Sequence, residues 1–153
     1  MISRPTLVTH AGWIVLLVFA IVLEARPPRG GAMEKFERIE RTNLWNIAEW
    51  QDSIPWQPFR PGVEIHRLYG DGKSGPTAAL LRYREAATVP VHTHQGFEHI
   101  LVLSGSQRDQ NGVLQAGTLS IHPPGTRHSV VSEAGCIVLA IYEKPVKFES
   151  SNP

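Results

Sequence analysis

Ala86-Ala-Thr-Val-Pro-Val-His92-Thr-His94-Gln-Gly-Phe-Glu98-His-Ile-Leu-Val-Leu-Ser-Gly105 is the stretch that decides how this chain is read. Two β-prone runs, Thr88–His94 and His99–Ser104, flank a Gln95-Gly96 turn and end at Gly105. Residues two apart in a strand leave the same face, so His92 and His94 point together. Glu98 follows four residues later, at the start of the partner strand. Further on, Pro123-Pro124-Gly125 forces a sharp bend just before His128. Two imidazoles on one strand, a carboxylate from its hairpin partner and an imidazole from a loop make a three-nitrogen, one-oxygen ligand set. Zinc, iron, manganese, nickel and copper all suit it, and ligand type alone does not choose among them. Positions left open to water or substrate allow Lewis-acid or redox chemistry.

Working outward, the chain keeps breaking into short runs with turn residues between them. Val63–Leu68 precedes Gly-Asp-Gly-Lys-Ser-Gly-Pro at 70–76, and Thr77–Tyr83 follows. Asn111-Gly112 marks a tight hairpin. Thr118–His122, His128–Val131 and Cys136–Tyr142 complete the series. No βαβ alternation or internal repeat interrupts it, so the expected fold is all-β, a sandwich or barrel. Residues 33–53 read as a polar, amphipathic cover, either a short helix or irregular. Trp45, Trp50 and Trp56 are expected to pack between this cover and the barrel.

The chain has 153 residues, 42% hydrophobic and 19% charged, enough for one globular domain and a short extra segment. A net charge of +1 leaves no electrostatic footprint for nucleic acid. The single cysteine, Cys136, excludes an internal disulfide and a cysteine-based zinc cluster within one chain. With Gly135 before it and Ile-Val-Leu after it, Cys136 reads as a buried small hydrophobe.

Composition changes at the N-terminus. LVTHAGWIVLLVFAIVL spans residues 7–23, and Ala11–Leu23 is thirteen apolar or small residues without a break. A bilayer crossing needs about 20, so the run is short for one. Three readings stand for residues 1–32: a hydrophobic helix anchoring the chain to a membrane through 7–23, a cleaved export signal with a poor cleavage site, or an extension ahead of a true start at Met33. The first two place the protein at a membrane or outside the cytoplasm, the third inside it.

The spacings around the histidines resemble those of the cupin superfamily. Its first motif, G-(x)5-H-x-H-(x)3,4-E-(x)6-G, is matched by His92, His94, Glu98 and Gly105. Its second, G-(x)5-P-x-G-(x)2-H-(x)3-N, is matched by Gly117, Pro123, Gly125 and His128. Ala86 stands where the first motif opens on glycine, and Ser132 where the second ends on asparagine. Those two departures bear on backbone shape more than on metal binding. Within the superfamily, Trp56-x-Pro-Phe-x-Pro-Gly-Val63, AALLRY at 78–83, HILVLSG at 99–105 and AGTLSIHPPGTRH at 116–128 resemble the cupin domain of ChrR-type anti-sigma factors.

That resemblance covers 54–148 and leaves a tail at 149–153. It implies a conical jelly-roll β-barrel holding one divalent metal (zinc, iron or manganese) on His92, His94, Glu98 and His128, and a homodimer. ChrR-type proteins grip the sigma factor with a separate domain carrying His-x3-Cys-x2-Cys. This sequence has no such motif, so a sigma factor is not an expected partner. Two functions follow: a metal-binding module that binds a small molecule or senses an oxidant, or a metal-dependent dioxygenase or isomerase acting on a small organic substrate. In the second, His122 or Tyr83 would transfer protons while Glu98 fixes ligand geometry. His66, Arg82 and Tyr83 are candidates to line the bowl, and alternation turns His99 away from the metal.

Overall fold

The computed structural model describes residues 38–149. The hydrophobic helix and membrane anchor expected over 7–23 lie outside them. Among the described residues, no helix is long and apolar enough to cross a membrane.

The described part is all-β. Its strands are β1 (Gln57–Arg60), β2 (Val63–Tyr69), β3 (Thr77–Tyr83), β4 (Ala87–Thr93), β5 (Glu98–Asp109), β6 (Gly112–Gln115), β7 (Leu119–His122), β8 (Arg127–Ser132), β9 (Cys136–Tyr142) and β10 (Lys147–Phe148). They pair antiparallel in the order β1-β2-β3-β9-β5-β8-β4-β10, with β6 and β7 also on β5. The sheet curls on itself into two facing walls. Because β5 pairs with β9 and β7 in its first half and with β6 and β8 in its second, it runs through both walls.

That continuity departs from the sequence expectation, which ended the strand at Gly105. Gly105 takes φ 72°, and a Cβ there would overlap the Gly135 carbonyl. Glycine thus lets the strand turn the corner between the two walls and does not terminate it.

Two apolar layers hold the fold. Val63, Tyr83, Val89, Ile100, Val102, Val130 and Val138 fill the interior between the walls. Ile47, Ile54, Leu80, Leu103 and Ile137 form a second layer outside the β3–β9–β5 wall, capped by Trp50 and Trp56. This explains why β3 and β9 read as nearly continuous apolar runs, since both of their faces are covered. The cover consists of consecutive short helical turns, Leu44–Asn46, Ile47–Trp50 and Gln51–Ser53. The Trp56 indole N–H donates to the Gln51 carbonyl at 2.8 Å and ties the cover down. Trp45 does not share this role: it is 64% exposed.

Arg82 lies in the outer layer and not in the bowl. Its guanidinium binds Glu64 at 2.8 Å and Asp52 at 3.1 Å and stacks over the Trp56 ring at 4.7 Å. Tyr83, the next residue, faces inward. His66 likewise alternates away from its inward neighbour Ile65 and lines nothing. Of the three candidates to line the bowl, Tyr83 alone does so.

Candidate metal centre

His92 is on β4, His94 just past its end, Glu98 at the start of β5 and His128 on β8, directly opposite His92 in the ladder. All four are buried, and one ligand atom from each lies within 4.8 Å of all the others. Strict alternation does not produce this set. The register slips between Val89 and His92, a bulge at Pro90-Val91 that brings both Val89 and His92 inward.

The same bulge orients the first imidazole. His92 Nδ1 lies 2.9 Å from the Pro90 carbonyl, which can only accept, so Nδ1 carries the proton. His94 Nδ1 meets the Thr126 hydroxyl at 2.9 Å. Thr126 donates its own proton to the Pro123 carbonyl at 2.6 Å, so His94 is again the donor. The Pro-Pro-Gly loop is held there by backbone bonds from Gly125 N–H to the His94 carbonyl and from His94 N–H to the Thr126 carbonyl. His128 Nδ1 donates to the Asp109 carboxylate at 3.2 Å. In all three rings Nδ1–H is engaged, and Nε2 offers a lone pair to the common centre.

What those lone pairs face is the decisive chemistry. His94 Nε2 is buried without a hydrogen-bond partner, yet lies 3.0 Å from Glu98 Oε2. His128 Nε2 is 3.9 Å from the same oxygen. A lone pair turned toward a carboxylate oxygen in a buried site is unfavourable unless a cation lies between them. The donor set therefore fits a divalent metal.

The electrostatics agree. Burial pushes His128 down to about 4, despite the opposing pull of Asp109, and burial lowers His92 as well. Both are neutral near pH 7, the form that binds metal.

Other predicted residues fall around this group. His122 lies opposite Glu98 on β7, stacks on the His94 ring at 4.9 Å and contacts the His128 ring at 4.4 Å. It buttresses two of the imidazoles from behind and does not line the cavity beside them. Tyr83 does line that cavity, and burial pushes its hydroxyl far above the ordinary value. It can donate a hydrogen bond but not act as a phenolate. His99 turns away from Glu98, toward Phe97. Cys136 is buried, with its thiol pushed up to about 11 by burial.

Sequence reading missed three residues: Thr126, Gln107 and Asp109. Asp109 had a local signal, because it precedes the Asn111-Gly112 turn and accepts the Asn111 N–H at 2.7 Å. The cavity itself encloses about 70 Å³. Ile65, Val89, Ile100, Val130 and Phe148 give it apolar walls, while His92, Glu98, His128 and Gln107 make its polar end.

The family model of the ChrR Cupin-like domain matches residues 47–146. The anti-sigma-E factor ChrR of Cereibacter sphaeroides is 34% identical over 104 residues, covering 67% of this chain and 48% of that protein. The chain thus spans about half the length of this curated relative. Among solved structures, Rhodobacter sphaeroides SigE in complex with the anti-sigma ChrR matches at 32% identity and TM-score 0.53, over 60% of this chain and 50% of that one. An RmlC-like cupin from Ralstonia eutropha JMP134 matches at 25% identity and TM-score 0.57, over 67% and 71%. An acetylacetone dioxygenase from Acinetobacter johnsonii matches at 14% identity and TM-score 0.61, over 83% and 85%, a likeness of fold alone.

Proposed function

This chain belongs to the ChrR cupin-like domain family, and from that premise we propose that it is a metal-binding module holding one divalent cation on His92, His94, Glu98 and His128. Its function is to bind a small molecule, or respond to an oxidant, at that centre. The observation that carries this reading is the convergence of lone pairs: three Nδ1–H groups anchored outward, and a buried, unpartnered Nε2 of His94 set 3.0 Å from Glu98. The bound metal would supply Lewis acidity or a redox couple at the polar end of the cavity.

The chain's own residues do the rest. The Pro90 carbonyl, Thr126 and Asp109 hold the rings in one tautomer, and the apolar walls exclude water from all but the polar end. An oxidant response would run through the metal centre and not through Cys136, whose buried thiol is far from ionising at neutral pH. A homodimer would use the edge strand β7, where Leu119 and Ile121 are exposed; sedimentation of the purified chain reads that directly.

The enzyme reading, a metal-dependent dioxygenase or isomerase, draws support from the apolar cavity that opens onto His92, Glu98 and His128. Elemental analysis of the protein purified without added metal is the test. About one metal per chain in the native protein, lost in His92→Ala and His128→Ala, is the expected result. Unchanged metal content in both variants would refute the site. Iron or manganese with oxygen uptake on small organic substrates favours the enzyme, and inert zinc favours the binding module.

A further inference from the structure

Gln107 lines the cavity beside Glu98 and His128, is only 4% exposed, and its Oε1 has no hydrogen-bond partner among the described residues. A buried carboxamide oxygen without a donor is destabilising, and a leucine would fill the same space without that penalty. Nor does simple alternation bring it there. On β5 the inward residues are Glu98, Ile100 and Val102; the register then slips between Val102 and Ser104, after which Gln107 faces inward. A bulge thus aims a lone acceptor at a wall otherwise built from Ile100, Val130 and Phe148.

A molecule entering the cavity meets an apolar wall, the open side of the four-ligand group and one unfilled acceptor. We propose that Gln107 selects the ligand: a small, largely hydrocarbon molecule presenting one oxygen to the metal and, beside it, a hydroxyl or amino hydrogen to the Gln107 carbonyl. The cavity of about 70 Å³ has room for roughly five water-sized groups. That sets the class as short-chain 2-hydroxy or 2-amino acids and vicinal diols. The inference rests on the metal-centre reading above.

Lactate and propionate, which differ in a single hydroxyl, are the probes. Each is titrated calorimetrically into the full metal-loaded chain and into Gln107→Leu, and the metal-free proteins are melted in parallel. The native protein should bind lactate at least about tenfold more tightly than propionate, and Gln107→Leu should reduce that ratio about tenfold. Chelation by lactate is common to both proteins and cancels in the comparison. Metal-free Gln107→Leu should melt about 4–8 °C higher, because an unpartnered buried group has gone. An unchanged lactate-to-propionate ratio overturns the proposal, as does a lower melting temperature, which would make Gln107 a structural residue. Failure of lactate to bind a protein carrying one metal per chain overturns the ligand class and leaves the metal centre standing. Absence of metal from the native protein brings down the metal-centre reading and this inference together.

Discussion

Two buried polar clusters, one outside the β3–β9–β5 wall and one inside the barrel, are finished differently. On the outer face, Arg82 is 9% exposed at its side chain and fully engaged: Glu64, Asp52 and the face of Trp56 occupy it. Inside the barrel, on the β4–β8 side, His94 Nε2 and Gln107 Oε1 are left without partners. Burial of polar groups is common to both. Saturation is what separates them: a closed cluster fastens the cover to the barrel, while an open one keeps its bonding capacity for something the chain does not itself provide.

The sharpest way to break that contrast is to remove one residue from each side. His94→Ala should drop bound metal to below about a tenth of an equivalent, because a four-ligand site loses a buried nitrogen. It should also abolish any gain in melting temperature on adding metal. A variant that keeps its metal would mean the inner cluster is merely structural. Asp109→Ala comes next. The ligands remain, but His128 loses the carboxylate that fixes its tautomer, so metal affinity should fall roughly 10–100-fold by competition titration. An unchanged affinity would show that His128 needs no such support.

Arg82→Met provides the opposite signature. It leaves Glu64 with Arg84, at 2.9 Å, as its remaining cation and should destabilise the fold by about 1 kcal/mol in urea, a figure kept low because Arg84 stays in place and Glu64 and Asp52 both reach solvent. Metal content should not change; its loss would couple the two faces and dissolve the distinction. The smallest effect is expected at Ala86, which sits in the left-handed region at φ 58°. Ala86→Gly relieves that strain and should raise stability by about 0.5–1 kcal/mol after the entropy of glycine is deducted. A decrease would mean that the methyl group packs more usefully than its backbone angle suggests.

Ala86 also shows how far the sequence could be read. The glycine of the motif is a backbone requirement, and its replacement by alanine left the conformation in place, at φ 58°. Ser132, the other departure, is fully buried and donates its hydroxyl to the Ser106 carbonyl at 2.7 Å, a structural bond and not a metal contact. Strands β3 and β9 were legible to the residue, because each is a continuous apolar run between strong turn signals. The four ligand residues were legible from spacing, and the structure brings all four together.

Other features were not legible, for physical reasons. Alternation divides a strand into two faces, but where both are covered it does not say which is the inside; hence the sequence left open whether Arg82 or Tyr83 faces the bowl. Bulges reset alternation without a composition signal, which hid Gln107. The short strands β1, β6 and β10 are too brief to show a period at all. Asp109 is held by its contact with His128, nineteen positions away in the chain, and no local pattern reveals such a partnership.

Strand β5 carries Glu98, Gln107 and Asp109 to one place from a single length of backbone, and the slip between Val102 and Ser104 sets their phase. The bulge therefore works as a one-tooth gear. Straighten that tooth into regular strand with every residue kept, and the far half of the strand rotates by half a period: Ser106 and Arg108 turn inward where Gln107 and Asp109 stood. A guanidinium would then face His128 in place of a carboxylate, and a pocket shaped to receive a cation would already hold one of its own.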